Sequence, residues 1–130
     1  MRSHRLLWIL QIVFGAYFVA VGVLHFIVPD GLPDLMSWMY ELSDGLHVAS
    51  GIAEILGGLG LILPGLTRIY PNLTVLAAFG LVVVMIGAAI WHAGRGEPSN
   101  MVNNVVLAAI MAFVGYARWK VTPLAGRPAV

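Results

Sequence analysis

Apolar residues run along the chain in four long blocks, and polar residues gather in the breaks between them. The blocks cover about residues 6–28, 46–63, 73–92 and 101–118. About 20 apolar residues span the hydrocarbon core as an α-helix, so each block predicts one crossing. Pro, Gly and charged residues mark the breaks. The expected fold is all-α: an integral membrane four-helix bundle that forms a single membrane domain over residues 1–130. The first block follows a basic MRSHR, as a signal peptide would. Its apolar core exceeds the roughly 7–15 residues of a signal h-region and no A-x-A site follows, so it reads as a retained helix.

The breaks have patterns of their own. In the first connection, 29–45, Leu35, Trp38, Met39 and Leu42 recur at helical spacing. That predicts a short amphipathic helix on the membrane surface, with Trp38 and Tyr40 as interfacial anchors. Such a segment serves either as a lid over the bundle end or as a plain connector. The connection 64–72, bounded by Pro64 and Pro71, reads as a short turn that makes the second and third helices antiparallel neighbours. FGAYFVAVG (14–22) and FGLVVVMIG (79–87) share FG, a Val five residues after the Phe and a closing Gly, as a two-plus-two internal repeat would produce.

Periodicity within the helices sorts their faces. Gln11, Gly15, Phe18, Gly22 and His25 follow a 4-3-4-3 spacing, and His47, Ser50, Gly51, Glu54, Gly57 and Gly58 lie along one side of the second helix. Small residues let helices approach closely in lipid, so these seams face protein. His92 lies about 140° from Gly87 at 100° per residue, which makes Trp91 the better-placed of that pair.

Composition strengthens the membrane assignment. The chain is 60% hydrophobic and only 10% charged, against about 25% charged in a typical soluble domain. Mean hydropathy is +0.91. With no cysteine, disulfides, thiolate nucleophiles and thiolate metal sites are excluded. The net charge of +1 does not point to nucleic acid, and no such partner is expected. Arg2, Arg5, Arg68, Arg118, Lys120 and Arg127 all fall on one side, and only Arg95 on the other. Because positive charge concentrates in the cytoplasm, both termini are expected there, in a cell inner membrane, with the acidic loops outside.

Candidate chemistry lies toward that outer side. His25, His47, Trp91, His92, Asn100, Asn103 and Asn104 sit near it, and Glu54 lies seven residues below His47 on nearly the same face, about 10 Å deeper. The inner half offers only Gln11 and Thr74. An acid facing lipid would cost about 2.5–3.5 kcal/mol, so Glu54 is expected to point into a polar, outward-opening pocket. There it is either a neutral acid donating a hydrogen bond or a carboxylate paired with His25 or His47. Inert interhelical hydrogen bonding is the plain alternative, for Glu54 and for the asparagines. Metal ligation by His25, His47, His92 and Glu54 has the right ligand types but no local spacing such as H-x-x-x-H, so no metal is expected. No nucleophile elbow, P-loop or dinucleotide fingerprint is present.

FGAYFVAVGVLHF, then GIAEILGGLGLILPG, then LVVVMIGAAIWH before an Asn-rich start to the fourth helix, resemble the DoxX-like family over about residues 6–118. The resemblance implies a small bacterial four-helix membrane protein related to a membrane subunit of thiosulfate:quinone oxidoreductase. It therefore implies a quinone-linked or redox-accessory role, with quinone as the one cofactor suggested, but it carries over no catalytic residue set.

Three readings stay open. One is an accessory subunit whose pocket around Glu54 and His25 holds a small lipophilic or quinone-like ligand, with His47, Trp91, His92, Asn103 and Asn104 as binding residues. Another is a compact membrane enzyme, an isomerase or hydrolase, using Glu54 and His25 for acid–base chemistry. The third is a structural module that assembles as a homo-oligomer, or with a membrane partner protein, through its glycine seams. The lipid bilayer is a partner in all three.

Overall fold

The computed structural model describes residues 2–128, and among them there are helices and no strands. Four helices are long and apolar enough to cross a membrane: α1 (Arg2–Ile27), α2 (Asp44–Thr67), α3 (Leu73–Gly94) and α4 (Pro98–Tyr116). The last continues as a π-helical turn, Ala117–Val121. Both described ends of the chain and the 68–72 connection lie at one end of the bundle. The 28–43 and 95–97 connections lie at the other, called here the histidine end.

Close packing of α1 on α2 rests on two reciprocal glycine pairs. A Cβ on Gly15 would sit 2.9 Å from the Gly58 carbonyl, and one on Gly22 would sit 2.9 Å from the Gly51 carbonyl. Glycine is needed wherever helix backbones approach this closely. The inward faces of α1 and α2 are those the 4-3 spacing predicts. In α3, however, Gly80 and Gly87 face open space. The buried seam there is Thr74, Ala78, Leu81, Met85, Ala89 and His92. The repeat thus marks two stretches of similar sequence whose glycines do different work. Phe18, Leu61, Leu81, Met85, Met111 and Val114 are part of the core that joins the four helices.

The 64–72 stretch is not all turn, because α2 runs through Pro64 to Thr67. Proline removes the N–H that would bond the carbonyl four residues back, here Gly60. The Thr74 hydroxyl of α3 donates to that carbonyl at 3.0 Å, so the freed acceptor is satisfied. Beyond Thr67, Arg68 adopts a left-handed conformation (φ 61°) that ends the helix. Arg127 Nε then donates to the Thr67 carbonyl, and Arg68 donates to Gly126 O. The C-terminal segment thereby caps α2.

Arg118 is not a tail charge. It is 1% exposed, turned inward by the π-helical turn. Its Nε donates to Gln11 Oε1 at 2.7 Å, its Nη1 donates to Thr122 O at 3.0 Å and lies 3.1 Å from His4 Nδ1. Gln11 in turn donates to the Leu61 carbonyl. This polar cluster joins α1, α2 and α4 at the end opposite the histidines.

The first connection forms a seven-residue 3-10 helix, Asp34–Tyr40, rather than an α-helix lying on the membrane. It covers the histidine end. Trp38 is not an interfacial anchor, because its ring packs inward against His92, His25 and Trp91. Tyr40 is exposed, and its hydroxyl donates to Pro29 O and accepts from the Leu32 N–H, tying the connection to itself.

Candidate functional site

Beneath this cap lies a cavity of about 740 Å³, lined by all four helices and by the 3-10 segment. Its walls are mostly apolar or aromatic, including Tyr17, Phe18, Trp38, Met85, Trp91 and Leu107. Its polar groups are few, and Glu54 is the only Asp, Glu, Lys or Arg among the lining residues. Some lining residues, such as Tyr17, Val83 and Asn103, are also solvent-exposed in the structure. A mainly apolar pocket with a small set of convergent polar groups is the usual form of a small-molecule site.

Glu54 and His25 meet across α1 and α2. Glu54 is 5% exposed and His25 is 4% exposed, and His25 Nε2 lies 3.1 Å from Glu54 Oε2. The contact is close but poorly aligned, so Oε2 has no well-formed hydrogen bond among the described residues. On its other side, His25 Nδ1 lies 2.9 Å from His47 Nδ1. His47 Nε2 lies 2.7 Å from the Met39 carbonyl of the cap. One chain of polar atoms therefore runs from the cap to the cavity floor.

His47 was expected among the ligand-binding residues, yet it stands behind His25 and does not line the cavity. Trp91, His92, Asn103 and Asn104 do line it. His92 is buried and, although the angular estimate disfavoured it, lines the cavity together with Trp91. Gly87, the marker used for that estimate, lines the cavity too, with nothing within 4 Å of its Cβ position. Both His25 ring nitrogens already have neighbours, and among the described residues no three His, Asp or Glu side chains converge as a metal site requires.

At the rim, His92 Nδ1 lies 3.1 Å from Glu97 Oε1, which also accepts from Arg95 Nε at 2.8 Å. The His92 hydrogen bond and the Arg95 guanidinium hold the Glu97 carboxyl below its ordinary value of 4.5. Arg95 also pairs with Glu41 beside the cap and lies over the Trp91 ring at 4.6 Å. These contacts fasten the cap to the α3–α4 connection.

Tyr17, Phe18 and Trp38 line the cavity without having been proposed as binding residues, and Arg118 was read only as a charge on the cytoplasmic side. Arg118 had a signal, since it continues the seam of Asn104, Met111 and Val114 at 7-3-4 spacing. Trp38 had none, because α-helical spacing does not report the facing of a 3-10 segment.

Comparison with curated proteins and with solved structures finds no match. The model of the DoxX-like family matches residues 9–114, which include α2, α3, most of α1 and α4, and every residue of the polar chain. With four apolar helices and that match, the chain is a multi-pass membrane protein and belongs to the DoxX-like family.

Proposed function

We propose that this protein binds a small lipophilic molecule with a polar head in the cavity around Glu54, and that it serves as an accessory, redox-linked subunit. One observation carries the reading: Glu54 is the only Asp, Glu, Lys or Arg lining a cavity whose walls are mostly apolar. The redox half of the proposal rests on the family resemblance, which makes a quinone the candidate ligand class.

The charge distribution supports cytoplasmic termini in a bacterial inner membrane. Arg2, Arg5, Arg68, Lys120 and Arg127 remain exposed at the end of the bundle opposite the cap.

A second reading, acid–base catalysis on a lipophilic substrate, is favoured by the His25–Glu54 contact facing the cavity. Assembly through the glycine seams is less favoured, because Gly15, Gly22, Gly51 and Gly58 are already used within the chain.

The quinone class is tested by titrating a short-chain benzoquinone into nanodiscs holding a Trp8→Phe/Trp119→Phe variant, which leaves only Trp38 and Trp91. Saturable quenching that disappears with Glu54→Gln is expected. Non-saturable quenching, equal with and without Glu54, would remove quinone from consideration.

A further inference from the structure

With His47 neutral, the contacts from Met39 to His25 fix where the protons of the polar chain lie. A carbonyl oxygen accepts and never donates, so His47 Nε2 must carry the hydrogen that meets Met39 O at 2.7 Å. A neutral His47 then has a bare Nδ1. Its neighbour at 2.9 Å is His25 Nδ1, which must therefore be the protonated nitrogen. His25 Nε2 is left facing Glu54 Oε2 at 3.1 Å. A proton on that pair is held either as a carboxylic acid beside imidazole or as a carboxylate beside imidazolium. Both forms are neutral overall.

The same geometry limits what the chain can do next. Removing the shared proton would leave a carboxylate against a bare imidazole nitrogen, two acceptors with no hydrogen between them. Adding one proton gives a carboxylic acid beside imidazolium, and the His25–His47 bond survives. Adding a second would protonate His47 Nδ1 against the His25 Nδ1–H and break that bond. The hydrogen-bond pattern therefore accommodates a proton added at Glu54. The other groups facing the chain are the Tyr17 hydroxyl from α1, the Trp38 ring from the cap, His92 beyond that ring from α3, and the uncharged Asn104 from α4. Arg95 and Glu97 are engaged with each other at the rim.

We infer that Met39 O, His47, His25 and Glu54 form a fixed-direction proton acceptor whose open end, Glu54, takes a proton from the cavity occupant. The ligand class is a weakly acidic lipophile, such as a phenol. In the transfer, the ligand O–H bond breaks and a Glu54 O–H bond forms. The resulting anion stays beside the His25 imidazolium, so net charge is unchanged and no electron moves. His47 is a positioning residue that fixes the His25 tautomer. The inference rests on the cavity being a ligand site, as proposed above.

Two measurements test it. Imidazole ¹⁵N NMR of the protein in nanodiscs reads the chain directly and needs no ligand. His47 should be the Nε2–H tautomer, with a coupling through the hydrogen bond between the Nδ1 atoms of His25 and His47. An Nδ1–H tautomer at His47, or no coupling, overturns the arrangement. The second measurement uses an alkylated 4-nitrophenol as probe, whose phenolate absorbs in the visible. Bound to wild type, it should ionise at a pH about one unit lower than in empty nanodiscs of the same lipid, and Glu54→Gln should remove the shift. A probe that binds but ionises as in lipid overturns the proton acceptor while leaving the ligand site standing. A probe that does not bind at all overturns both.

Discussion

His25 Nε2 lies 3.1 Å from Glu54 Oε2, and the Gly22–Gly51 contact between α1 and α2 lies beside that pair. His25 is three residues beyond Gly22 and Glu54 three beyond Gly51, on helices that run in opposite directions. The two side chains reach toward each other across a point where the backbones nearly touch. The close approach that glycine permits is therefore what brings the two ionisable groups together.

Substituting those glycines should damage stability and site alike. Gly22→Leu or Gly58→Leu forces bulk against a backbone carbonyl, and overpacking of this kind costs about 1–3 kcal/mol or more. Gly87→Leu, at a position with nothing within 4 Å, should be tolerated. Thermal unfolding in matched nanodiscs checks this, and equal melting of all three variants would contradict the packing described.

Thr74 and Pro64 should be coupled. Thr74→Val leaves the Gly60 carbonyl without its donor, at a cost of about 1 kcal/mol. In a Pro64→Ala background the restored N–H of residue 64 can bond that carbonyl, so the same Thr74→Val change should cost less. A double-mutant cycle measures the coupling. Additive effects would show that the hydroxyl is not replacing the missing N–H.

At the opposite end from the cap, Arg118 should resist conservative replacement. Lysine lacks the planar fork that serves Gln11 and Thr122 at once. Arg118→Lys is expected to destabilise by about 1–3 kcal/mol, and Gln11→Leu by a similar amount, because it strands the guanidinium Nε–H. Denaturant titration in mixed micelles checks both.

Acid should loosen the rim. The folded-state pKa of Glu97 is depressed, so its contribution is present in full above its ordinary value of 4.5 and is lost as pH falls below it. Glu97→Gln should flatten this acid limb, followed by the fluorescence of Trp38 and Trp91. An unchanged acid limb in that variant would assign the loosening to another group.

Much of the fold was legible in the sequence, because hydrophobic length reports membrane spans directly and 4-3 spacing reports their inward faces. Gln11, Gly15, Phe18, Gly22 and His25 lie where their spacing put them. The errors share a cause: each inferred facing from residue type. Gly87 was read as a packing glycine, Pro64 as a helix end, Arg118 as a solvated charge and Trp38 as an interfacial anchor. In each case a tertiary partner decided otherwise, and the sequence gives no sign of the Thr74 hydroxyl that lets α2 pass through Pro64. Glu54 and His25 were legible because a buried acid in lipid has few satisfactory neighbours. The place of His47, between His25 and Met39, depends on the path of the 3-10 segment and was not.

The central claim is that Glu54 holds a small lipophilic ligand, and native mass spectrometry of protein released from nanodiscs tests it most directly. Wild type and Glu54→Gln would be prepared from the same membranes and first matched by thermal unfolding. The amide keeps the shape of the carboxyl, so the variant should fold as wild type does. Wild type should then carry a bound species small enough for a cavity of about 740 Å³, and Glu54→Gln should have lost it. The same species on both proteins, or none on wild type, would contradict the claim and leave Glu54 as a structural link between helices.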